Sequence, residues 1–352
     1  MKNKVQENQI LLESIPLLLE WYDTHKRDLP WRKDKDAYHI WISEIMLQQT
    51  RVEAVIGYYN RFIREVPDLK TLARISEDYL LKLWQGLGYY SRARNLQRTA
   101  QLLVEQGKTT LPSTYAELLK LPGIGTYTAG AIASIAYGET VPAVDGNVLR
   151  ILTRILGQYD NIADLKTKTK YEDLLKPYMP ENESGNLNQA MMELGATICI
   201  PNGAPRCNIC PVSAFCQAYQ KGLLAVLPVK IKKQNRKIIS KIVFLYIYKN
   251  QIAIQKRPDH GLLASLYEFP NIDSSMDLNE VKSYLNQENI SYESVSLLGK
   301  YKHTFTHLEW NMDGYLIHLN KKINDKYVWV TLEELNTIYS LPTAFSKILR
   351  DI

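Results

Sequence analysis

The sequence predicts a helical domain followed by a separate α+β domain, on three observations. Up to about Gly222, apolar residues recur at three- and four-residue steps, which is typical of amphipathic helices. From Ile238 onward they fall in β-branched and aromatic runs, which are typical of strands. Residues 227–237 between these parts are polar, basic and without periodicity, which indicates a linker. We therefore expect a helical region at 1–226, a basic linker at 227–237 and an α+β domain at 238–352.

The helical prediction depends on an apolar stripe and on the spacing of prolines. The stripe is clearest in one segment, where six residues would share a helix face: Val52, Val55, Ile56, Tyr59, Phe62 and Ile63. Prolines then separate further segments of helical spacing, at Pro67, Pro112, Pro122, Pro142 and Pro180.

The α+β prediction for the last third depends on a hairpin signal. Strands are expected at Ile238–Tyr248 and Gln251–Gln255, joined by the two-residue turn Lys249-Asn250. The remaining expected elements are two strands, Tyr315–Leu319 and Tyr327–Val330, and two helices, Leu278–Gln287 and Leu332–Ile338.

Composition excludes a membrane protein and favours an intracellular one. Hydrophobic residues make up 45% of the chain and charged residues 23%, which is ordinary for a globular protein. The longest apolar runs, such as Ile242–Tyr248, are too short to span a bilayer, and the N-terminus lacks a signal-peptide pattern. We expect a cytoplasmic protein without membrane contact.

The distribution of charge is more informative than the net charge of +6. No acidic residue lies between Glu193 and Asp259. That interval carries many basic residues: Arg206, Lys221, Lys230, Lys232, Lys233, Arg236, Lys237, Lys241, Lys249, Lys256 and Arg257. Such a block attracts polyanions by neutralising phosphates, although a solvated basic surface would have the same composition. Charge alone leaves both interpretations open.

The four cysteines are confined to one short segment, with the spacing Cys199-x7-Cys207-x2-Cys210-x5-Cys216. A disulfide scaffold would disperse its cysteines and need an oxidising compartment. Four thiolates in one loop instead indicate a metal site. An iron–sulfur cluster and a tetrahedral zinc site both fit the donor set.

A pair of glycines indicates a phosphate-binding turn. Gly123 and Gly125 follow Pro122 and precede a helical segment, so backbone N–H groups would be bare at a helix N-terminus. That arrangement binds phosphate without reading sequence. A plain turn between two helices is the alternative.

Two carboxylates are candidates for acid–base chemistry. Asp145 precedes an apolar helical stretch and fits an N-cap, which is also its purely structural interpretation. Glu44 lies among Ile42, Ile45 and Met46, and apolar surroundings raise a carboxyl pKa toward the range that a general acid needs. Its alternative is a solvent-facing glutamate paired with a lysine.

Together with Arg27–Arg32 and Gly86–Leu96, these motifs resemble the MutY-type adenine DNA glycosylases, which belong to the helix-hairpin-helix superfamily of endonuclease III. The resemblance runs from about Trp21 to Leu227 and more loosely to about Trp310. It implies an all-helical glycosylase region with an iron–sulfur loop, followed by a Nudix-like α+β domain. Within the helical region it implies a six-helix-barrel subdomain at about 25–139 and an iron–sulfur subdomain formed by 1–24 and 140–226.

The resemblance implies a monofunctional base-excision enzyme. It would hydrolyse the N-glycosidic bond of adenine opposite 8-oxoguanine or guanine in double-stranded DNA, after flipping the base, and act as a monomer. Glu44 would protonate the adenine and Asp145 would stabilise the cationic sugar, with Tyr127 and Asn147 holding the aspartate and nearby water. The cysteines would bind one [4Fe-4S] cluster, and no nucleotide cofactor is implied. The family has six residues in the first cysteine gap, where this chain has seven.

The resemblance also assigns the binding residues. Those of the adenine pocket are Arg27, Leu29, Trp31, Arg32, Leu47 and Gln189. Gln49 and Tyr89 would wedge into the duplex, with Thr50 and Leu87 near the oxidised guanine, while Gly123 and Gly125 would hold the DNA backbone. The lesion-reading loop would be Phe305, Thr306 and His307; the family usually has serine at the position of Thr306, so the hydroxyl is kept.

Three rival functions follow from the same motifs. A bifunctional endonuclease III-like glycosylase would have, at the position of Tyr127, a lysine that forms a Schiff base, and tyrosine cannot form that imine. A Nudix hydrolase would need an Arg-Glu-x-x-Glu-Glu helix after Gly261–Pro270, and none follows. A non-catalytic iron–sulfur DNA-binding module would leave Glu44 and Asp145 incidental.

Overall fold

The computed structural model describes residues 2–231, 236–323 and 326–352, so residues 232–235 of the expected linker lie outside it. The helices are α1 (Lys2–His25), α2 (Ala37–Leu47), α3 (Val52–Glu65), α4 (Leu69–Arg74), α5 (Glu77–Leu83), α6 (Ser91–Glu105), α7 (Tyr115–Leu118), α8 (Thr126–Tyr137), α9 (Gly146–Leu156), α10 (Leu165–Leu175), α11 (Ser184–Thr197), α12 (Gln217–Gln220), α13 (Leu278–Gln287), α14 (Leu332–Thr337) and α15 (Ser346–Arg350). The strands are β1 (Lys237–Tyr248), β2 (Gln251–Lys256), β3 (Tyr267–Glu268), β4 (Asn271–Ile272), β5 (Tyr292–Thr304), β6 (Leu308–Leu319) and β7 (Val328–Val330).

The chain divides into two compact units. The first unit consists of Met1–Arg74 and Asn95–Lys233, and the second of Ile75–Arg94 and Gln234–Ile352. The second unit therefore takes a short segment from the middle of the helical sequence. The helical pattern of the sequence continues through that segment, which was therefore expected to fold with its helical neighbours.

One hydrophobic core of the first unit joins α1 to α9, α10 and α11. Tyr22, Leu152, Tyr171 and Leu187 are among its buried side chains. The cysteine segment contributes Cys216 to the same core, so it is packed against the helices rather than suspended in solvent.

Helix α2 supplies the wall of the site and is buried nearly all round. It packs against α3 and α8, and α8 in turn packs against α11. Its start is fixed by Asp36, whose carboxylate accepts hydrogen bonds from the backbone N–H groups of Tyr38 and His39. A helix that is hydrophobic on every face belongs in a core, and here it carries Glu44 into that core.

The second unit is built on a mixed sheet whose main path is β3-β2-β1-β6-β5, with β4 paired to β1 and β7 to β2. β1 and β2 are antiparallel and turn between Tyr248 and Gln251, as predicted, with Lys249 in the left-handed region. β1 and β6 are parallel, whereas β5 and β6 form a long antiparallel hairpin.

Alternate residues of β1 enter two separate cores on opposite faces of the sheet. Val243 and Leu245 pack with Trp310 and Phe345 on one face. Phe244 packs on the other face with Val281 of α13. This alternation follows from the two-residue period of a strand, and helices cover both faces.

The apolar strands were predicted from the sequence, but β5 was not. The expected strand at Tyr315–Leu319 is the end of the longer β6, and the expected helix at Leu278–Gln287 is α13. None of the residues of β5 is buried, so the strand lacks the apolar alternation by which β1 was found.

Backbone acceptors near the C-terminus hold the inserted segment Ile75–Arg94 within the second unit. Lys82 Nζ donates to the carbonyl of Tyr339 at 3.0 Å, and Gln85 Nε2 donates to that of Leu341 at 3.2 Å. These bonds give the inserted segment a folding partner far from it in sequence.

Residues 227–231 pack against the first unit instead of running free as a linker. Leu227 is buried in the core of that unit, and Val229 forms an isolated bridge with Asn161.

None of the described helices is long and apolar enough to cross a membrane.

Candidate active site

Glu44 is the centre of the catalytic candidates. It lies on α2 with only 6% of its surface exposed, and its Oε2 accepts a hydrogen bond of 2.7 Å from the Tyr127 hydroxyl. Burial raises the pKa of Glu44 to about 7, against the opposing effect of the Tyr127 hydrogen bond, and the charge of Asp145 raises it further. The apolar surroundings read from the sequence thus have the expected electrostatic consequence, and the solvent-facing alternative is excluded.

Asp145 is the N-cap of α9. Its Oδ1 accepts hydrogen bonds from the backbone N–H groups of Asn147 and Val148, both at 2.9 Å, and its Oδ2 accepts one from Asn147 Nδ2 at 2.8 Å. Burial raises the pKa of Asp145, and these three donors oppose that rise. The cap and the candidate catalytic group are therefore the same carboxylate.

Tyr127 differs from its expected role. We expected Tyr127 and Asn147 both to hold Asp145, but the Tyr127 hydroxyl donates to Glu44, and of the two only Asn147 donates to Asp145. The reason is that Tyr127 lies in the first turn of α8, the helix that packs against α2.

A cavity of about 420 Å³ in the first unit brings most of the expected residues together. Its lining includes the four catalytic candidates, the six residues assigned to the adenine pocket, and two assigned to the duplex: Glu44, Asp145, Tyr127, Asn147, Arg27, Leu29, Trp31, Arg32, Leu47, Gln189, Gln49 and Thr50. Of the described residues assigned to DNA, Leu87, Tyr89, Gly123 and Gly125 do not line it.

Glu193 was not predicted from the sequence as a site residue, but it lines the same cavity and has no exposed surface. Its carboxylate accepts from Arg27 Nε at 2.6 Å and from Arg32 Nη2 at 2.8 Å. Burial works to raise the pKa of Glu193, but the two arginines outweigh burial and hold it below the usual value. Glu44 was identified as a carboxylate between apolar neighbours. Glu193 has the same sequence feature, because Met192 and Leu194 lie on either side of it.

Arg150 connects the aspartate cap to the cysteine segment. Its Nη1 donates to Asn147 Oδ1 at 3.0 Å, and its Nε donates to the carbonyl of Cys199 at 2.9 Å. Asn147 is thereby held at its amide oxygen while its amide nitrogen binds Asp145. One of the three donors to Asp145, the Asn147 amide, is thus held through Arg150 by the backbone carbonyl of Cys199.

The glycine pair has the predicted turn geometry. Gly123 has a φ of +73°, and a Cβ there would lie 2.6 Å from the Cβ of Asn95. Gly125 is the N-cap of α8 and has open space around it. Backbone N–H groups at the start of α8 are therefore accessible to an anion.

All four cysteines line one small cavity beside Arg154. Arg154 Nη1 donates to Cys199 Sγ at 3.2 Å. Burial raises the pKa of Cys210 to about 12, and burial also raises the pKa values of Cys207 and Cys216. Across the described residues, no group of three or more histidine, cysteine or acidic side chains is already arranged around a single metal-ion position.

A second candidate surface lies within the second unit, around a cavity of about 500 Å³. Tyr89 lines it with Phe305, Thr306 and His307, which form the turn of the β5–β6 hairpin. The hydroxyls of Tyr89 and Thr306 are 2.7 Å apart. The inserted segment and the expected lesion-reading loop thus form one surface.

Both expected wedge residues have unusual backbones. Gln49 has a φ of 59° and Tyr89 a φ of 47°. Both values lie in the left-handed backbone region, which residues other than glycine rarely adopt. Arg92 holds the turn before Tyr89 by donating to the carbonyls of Leu87 and Gly88, at 3.0 and 3.1 Å. Leu87 itself is buried, so of these expected DNA contacts it is the least accessible.

The basic block is divided between structural and exposed residues. Lys241 is buried and pairs with Asp273, while Arg257 pairs with Glu268. Several of the other described members are exposed: Arg206, Lys221, Lys230, Arg236, Lys237 and Lys249. Only part of the block is therefore available to a polyanion.

Two family profiles match the chain. A profile described as "HhH-GPD superfamily base excision DNA repair protein" matches residues 42–177, and a profile described as "NUDIX domain" matches residues 242–351. The two matches fall on either side of the expected linker.

Curated relatives cover nearly the whole chain. An adenine DNA glycosylase of Buchnera aphidicola subsp. Baizongia pistaciae is 36% identical over 346 residues, which cover 95% of both chains. An adenine DNA glycosylase of Homo sapiens is 34% identical, with 95% of this chain and 72% of the human protein covered.

Solved structures resemble the helical part. A thermostable thymine-DNA glycosylase is 27% identical with a TM-score of 0.55, covering 61% of this chain and 98% of that one. A trapped endonuclease III–DNA covalent intermediate is 22% identical with a TM-score of 0.52, covering 62% of this chain and 98% of that one. The second likeness supports the fold alone.

Proposed function

The chain belongs to the adenine DNA glycosylases, base-excision repair enzymes that hydrolyse N-glycosyl bonds, and we propose that its substrate is adenine opposite 8-oxoguanine or guanine. The observation that carries the proposal is one cavity in which buried Glu44 and partly buried Asp145 face the residues assigned to adenine. The cavity is of a size typical of ligand pockets.

Catalysis begins with a flipped base, because a duplex hides the bond between adenine and its sugar. Adenine is a poor leaving group until a ring nitrogen is protonated. A carboxyl with a pKa of about 7 is substantially protonated at neutral pH and can donate that proton, which is the role proposed for Glu44.

Asp145 then opposes the positive charge that develops on the sugar. Its three hydrogen-bond donors favour the carboxylate form and fix its direction. Water then completes the hydrolysis. Glu44 acts as the protonated carboxyl and Asp145 as the ionised one, as in other glycoside-cleaving enzymes.

Tyr127 supports a monofunctional reaction. A strand-cleaving glycosylase needs an amine that forms an imine with the sugar. The side chain at this position is instead a phenol bound to Glu44, and burial together with the charge of Glu44 raises its pKa. It is therefore no nucleophile at neutral pH.

The residues of the cysteine cavity fit one [4Fe-4S] cluster. Such a cluster takes one thiolate per iron, and all four cysteines face one space. A bound metal cation would lower these raised thiol pKa values, because metal binding displaces thiol protons. The cluster would cross-link the segment from Cys199 to Cys216 and hold its exposed Arg206 toward DNA; it has no part in the glycosidic chemistry.

Lesion recognition is proposed for the second unit. Tyr89, Thr306 and His307 offer an aromatic face, a hydroxyl and an imidazole around one cavity, and these groups suit a purine with an added oxygen. The hairpin of Gly123 and Gly125 would bind backbone phosphates. Because one chain supplies all these residues, we propose that the protein acts as a monomer.

Pyrophosphate hydrolysis by the Nudix-like unit is not supported. Helix α13 carries Glu280 as its single acidic residue, and that carboxylate caps the helix by accepting from the backbone N–H of Asp277 at 2.7 Å. A Nudix metal site needs several glutamates on one helix.

The test is single-turnover base release from matched duplexes carrying adenine opposite 8-oxoguanine, guanine or thymine. We expect release from the first two and much less from the third. Glu44→Gln, the control, should bind the lesion duplex and release almost no adenine, because an amide cannot donate the proton. Equal release from all three duplexes would contradict the proposed specificity, and normal turnover by the variant would contradict the role of Glu44.

A further inference from the structure

A second cavity, of about 560 Å³, adjoins the base pocket in the first unit. We infer that it is the route by which free adenine leaves while duplex product is still bound. The inference rests on the proposed function, since it takes the cavity around Glu44 to be the base pocket.

Five side chains line both cavities and form the partition between them: Arg27, Trp31, Arg32, Ile135 and Gln189. Because each of them faces both spaces, the partition is one side chain thick. Gln189 makes no side-chain hydrogen bond within the described residues, whereas Arg27 and Arg32 are fixed by Glu193. Gln189 is therefore the member that can turn aside, and rotamer changes of unpaired side chains take nanoseconds or less.

Charges around the second cavity are balanced. The charged residues that line it are Lys26, Arg27, Arg32 and Lys35, with Asp28 and Asp34. The two arginines are paired with carboxylates that do not line this cavity, Glu193 and, for Arg27, also Glu53. Two lysines therefore remain against two aspartates. A balanced set favours neither a phosphate nor a cation. The occupant suited to this electrostatic setting is a neutral molecule.

The remaining lining suits a planar hydrogen-bonding molecule. Tyr137 offers a partly exposed aromatic ring, and Asn182 and Asn186 offer carboxamides that both donate and accept. Free adenine is neutral, planar and lined with donors and acceptors. No released product of the proposed reaction other than adenine has this chemistry.

The front of the base pocket is closed to adenine as long as the duplex remains. The front is the opening through which the flipped base enters from DNA. Gln49 and Thr50 line the base pocket, and both are assigned to contacts with DNA. A cleaved base that left by the front would have to pass the sugar and the wedge. The partition beside Gln189 offers a second opening that needs no movement of DNA.

The test separates bond cleavage from the departure of adenine. Asn186→Trp fills the second cavity from α11, and Ala136→Trp fills it from α8; neither residue lines the base pocket. The matched control is Thr169→Trp, at an exposed position on α10 that lines neither cavity. The duplex carries radiolabelled adenine opposite 8-oxoguanine.

Acid quenching measures cleavage, and rapid native gel filtration measures adenine that has left the protein–DNA complex. We expect unchanged cleavage in all three variants, with adenine departure slowed at least about ten-fold in the two cavity variants only. If either cavity variant cleaves normally and releases adenine at the rate of the control variant, the proposed exit route is wrong. Loss of cleavage in the unaltered protein would instead contradict the proposed function.

Discussion

The Tyr127 hydroxyl donates a hydrogen bond of 2.7 Å to Glu44 Oε2, and so links the first turn of α8 to the centre of α2. The bond stabilises the ionised form of Glu44, whereas burial stabilises the protonated form. The pKa of Glu44 consequently lies near neutral pH, where a general acid is most effective.

The first prediction concerns the pH dependence of excision. The single-turnover rate should fall as pH rises through about 7, because Glu44 loses the proton that adenine needs. Tyr127→Phe removes a bond that lowers the pKa of Glu44, so the fall should move to higher pH. Rates on the adenine–8-oxoguanine duplex between pH 5.5 and 9 measure both. A profile in Tyr127→Phe that is unshifted, or shifted to lower pH, would show that the bond does not set this pKa.

The second prediction concerns stability. Burial raises the folded-state pKa of Glu44 to about 7 from an ordinary value of 4.5. Between these values the folded state binds more protons than the unfolded state, so the stability that Glu44 contributes is complete below about 4.5 and lost as pH rises through about 7. Glu44→Gln has no such loss. Its free energy of unfolding relative to the unaltered protein should therefore increase by up to about 3 kcal/mol between pH 5 and 8.5. Urea unfolding at the two pH values measures it, and exposed Glu20→Gln should show no change.

The third prediction separates the two roles of Asp145. Asparagine caps helices as well as aspartate does, so Asp145→Asn should retain stability but lose nearly all base release, because an amide cannot balance a developing cation. Asp145→Ala should lose base release as well and cost about 1 kcal/mol of stability through the missing cap. Thermal unfolding and single-turnover release of both variants provide the comparison. An active Asp145→Asn would leave this residue a helix cap only.

The fourth prediction concerns recognition of the opposite base. Thr306→Ala and Tyr89→Phe each remove one hydroxyl of a 2.7 Å pair, so each should reduce the preference for 8-oxoguanine over guanine several-fold. The double variant should lose little more than either single one, because the pair acts as a unit, with a coupling of about 0.5–1.5 kcal/mol. Thr343→Ala, which lines the same cavity, is the control. Additive losses would indicate two independent contacts.

A truncation near Leu227 would be a poorer test of the same point. It would remove the acceptors of Lys82 and Gln85, which belong to the same unit as the C-terminal domain. Tyr89 would then lose its support together with Thr306, and the two effects could not be separated.

The fifth prediction concerns the cysteines. Protein purified without oxygen should be yellow-brown, with about four irons per chain. Cys207→Ser should lose most of the iron and the visible absorption, because all four cysteines of the chain lie in this segment and none can replace it. Metal analysis and absorption spectra measure the outcome. One zinc per chain and no iron would identify the tetrahedral alternative.

The sequence alone determined the order of the two domains, the apolar strands and the apolar environment of Glu44. These features are local: helix and strand periods, a carboxylate between apolar neighbours, and a cap before a helix are all encoded within a few adjacent residues. Asp145 could be placed at the start of α9 for that reason.

Only the tertiary structure decided which residues meet. Glu193 binds Arg27 and Arg32 from a helix far along the chain, Tyr127 binds Glu44 rather than Asp145, and Ile75–Arg94 folds with the second unit. Each contact joins residues that are distant in sequence, and no local period records such a pairing. β5 was missed for a related reason, since none of its residues is fully buried and the hydrogen bonds that pair it with β6 leave no apolar pattern in its own sequence.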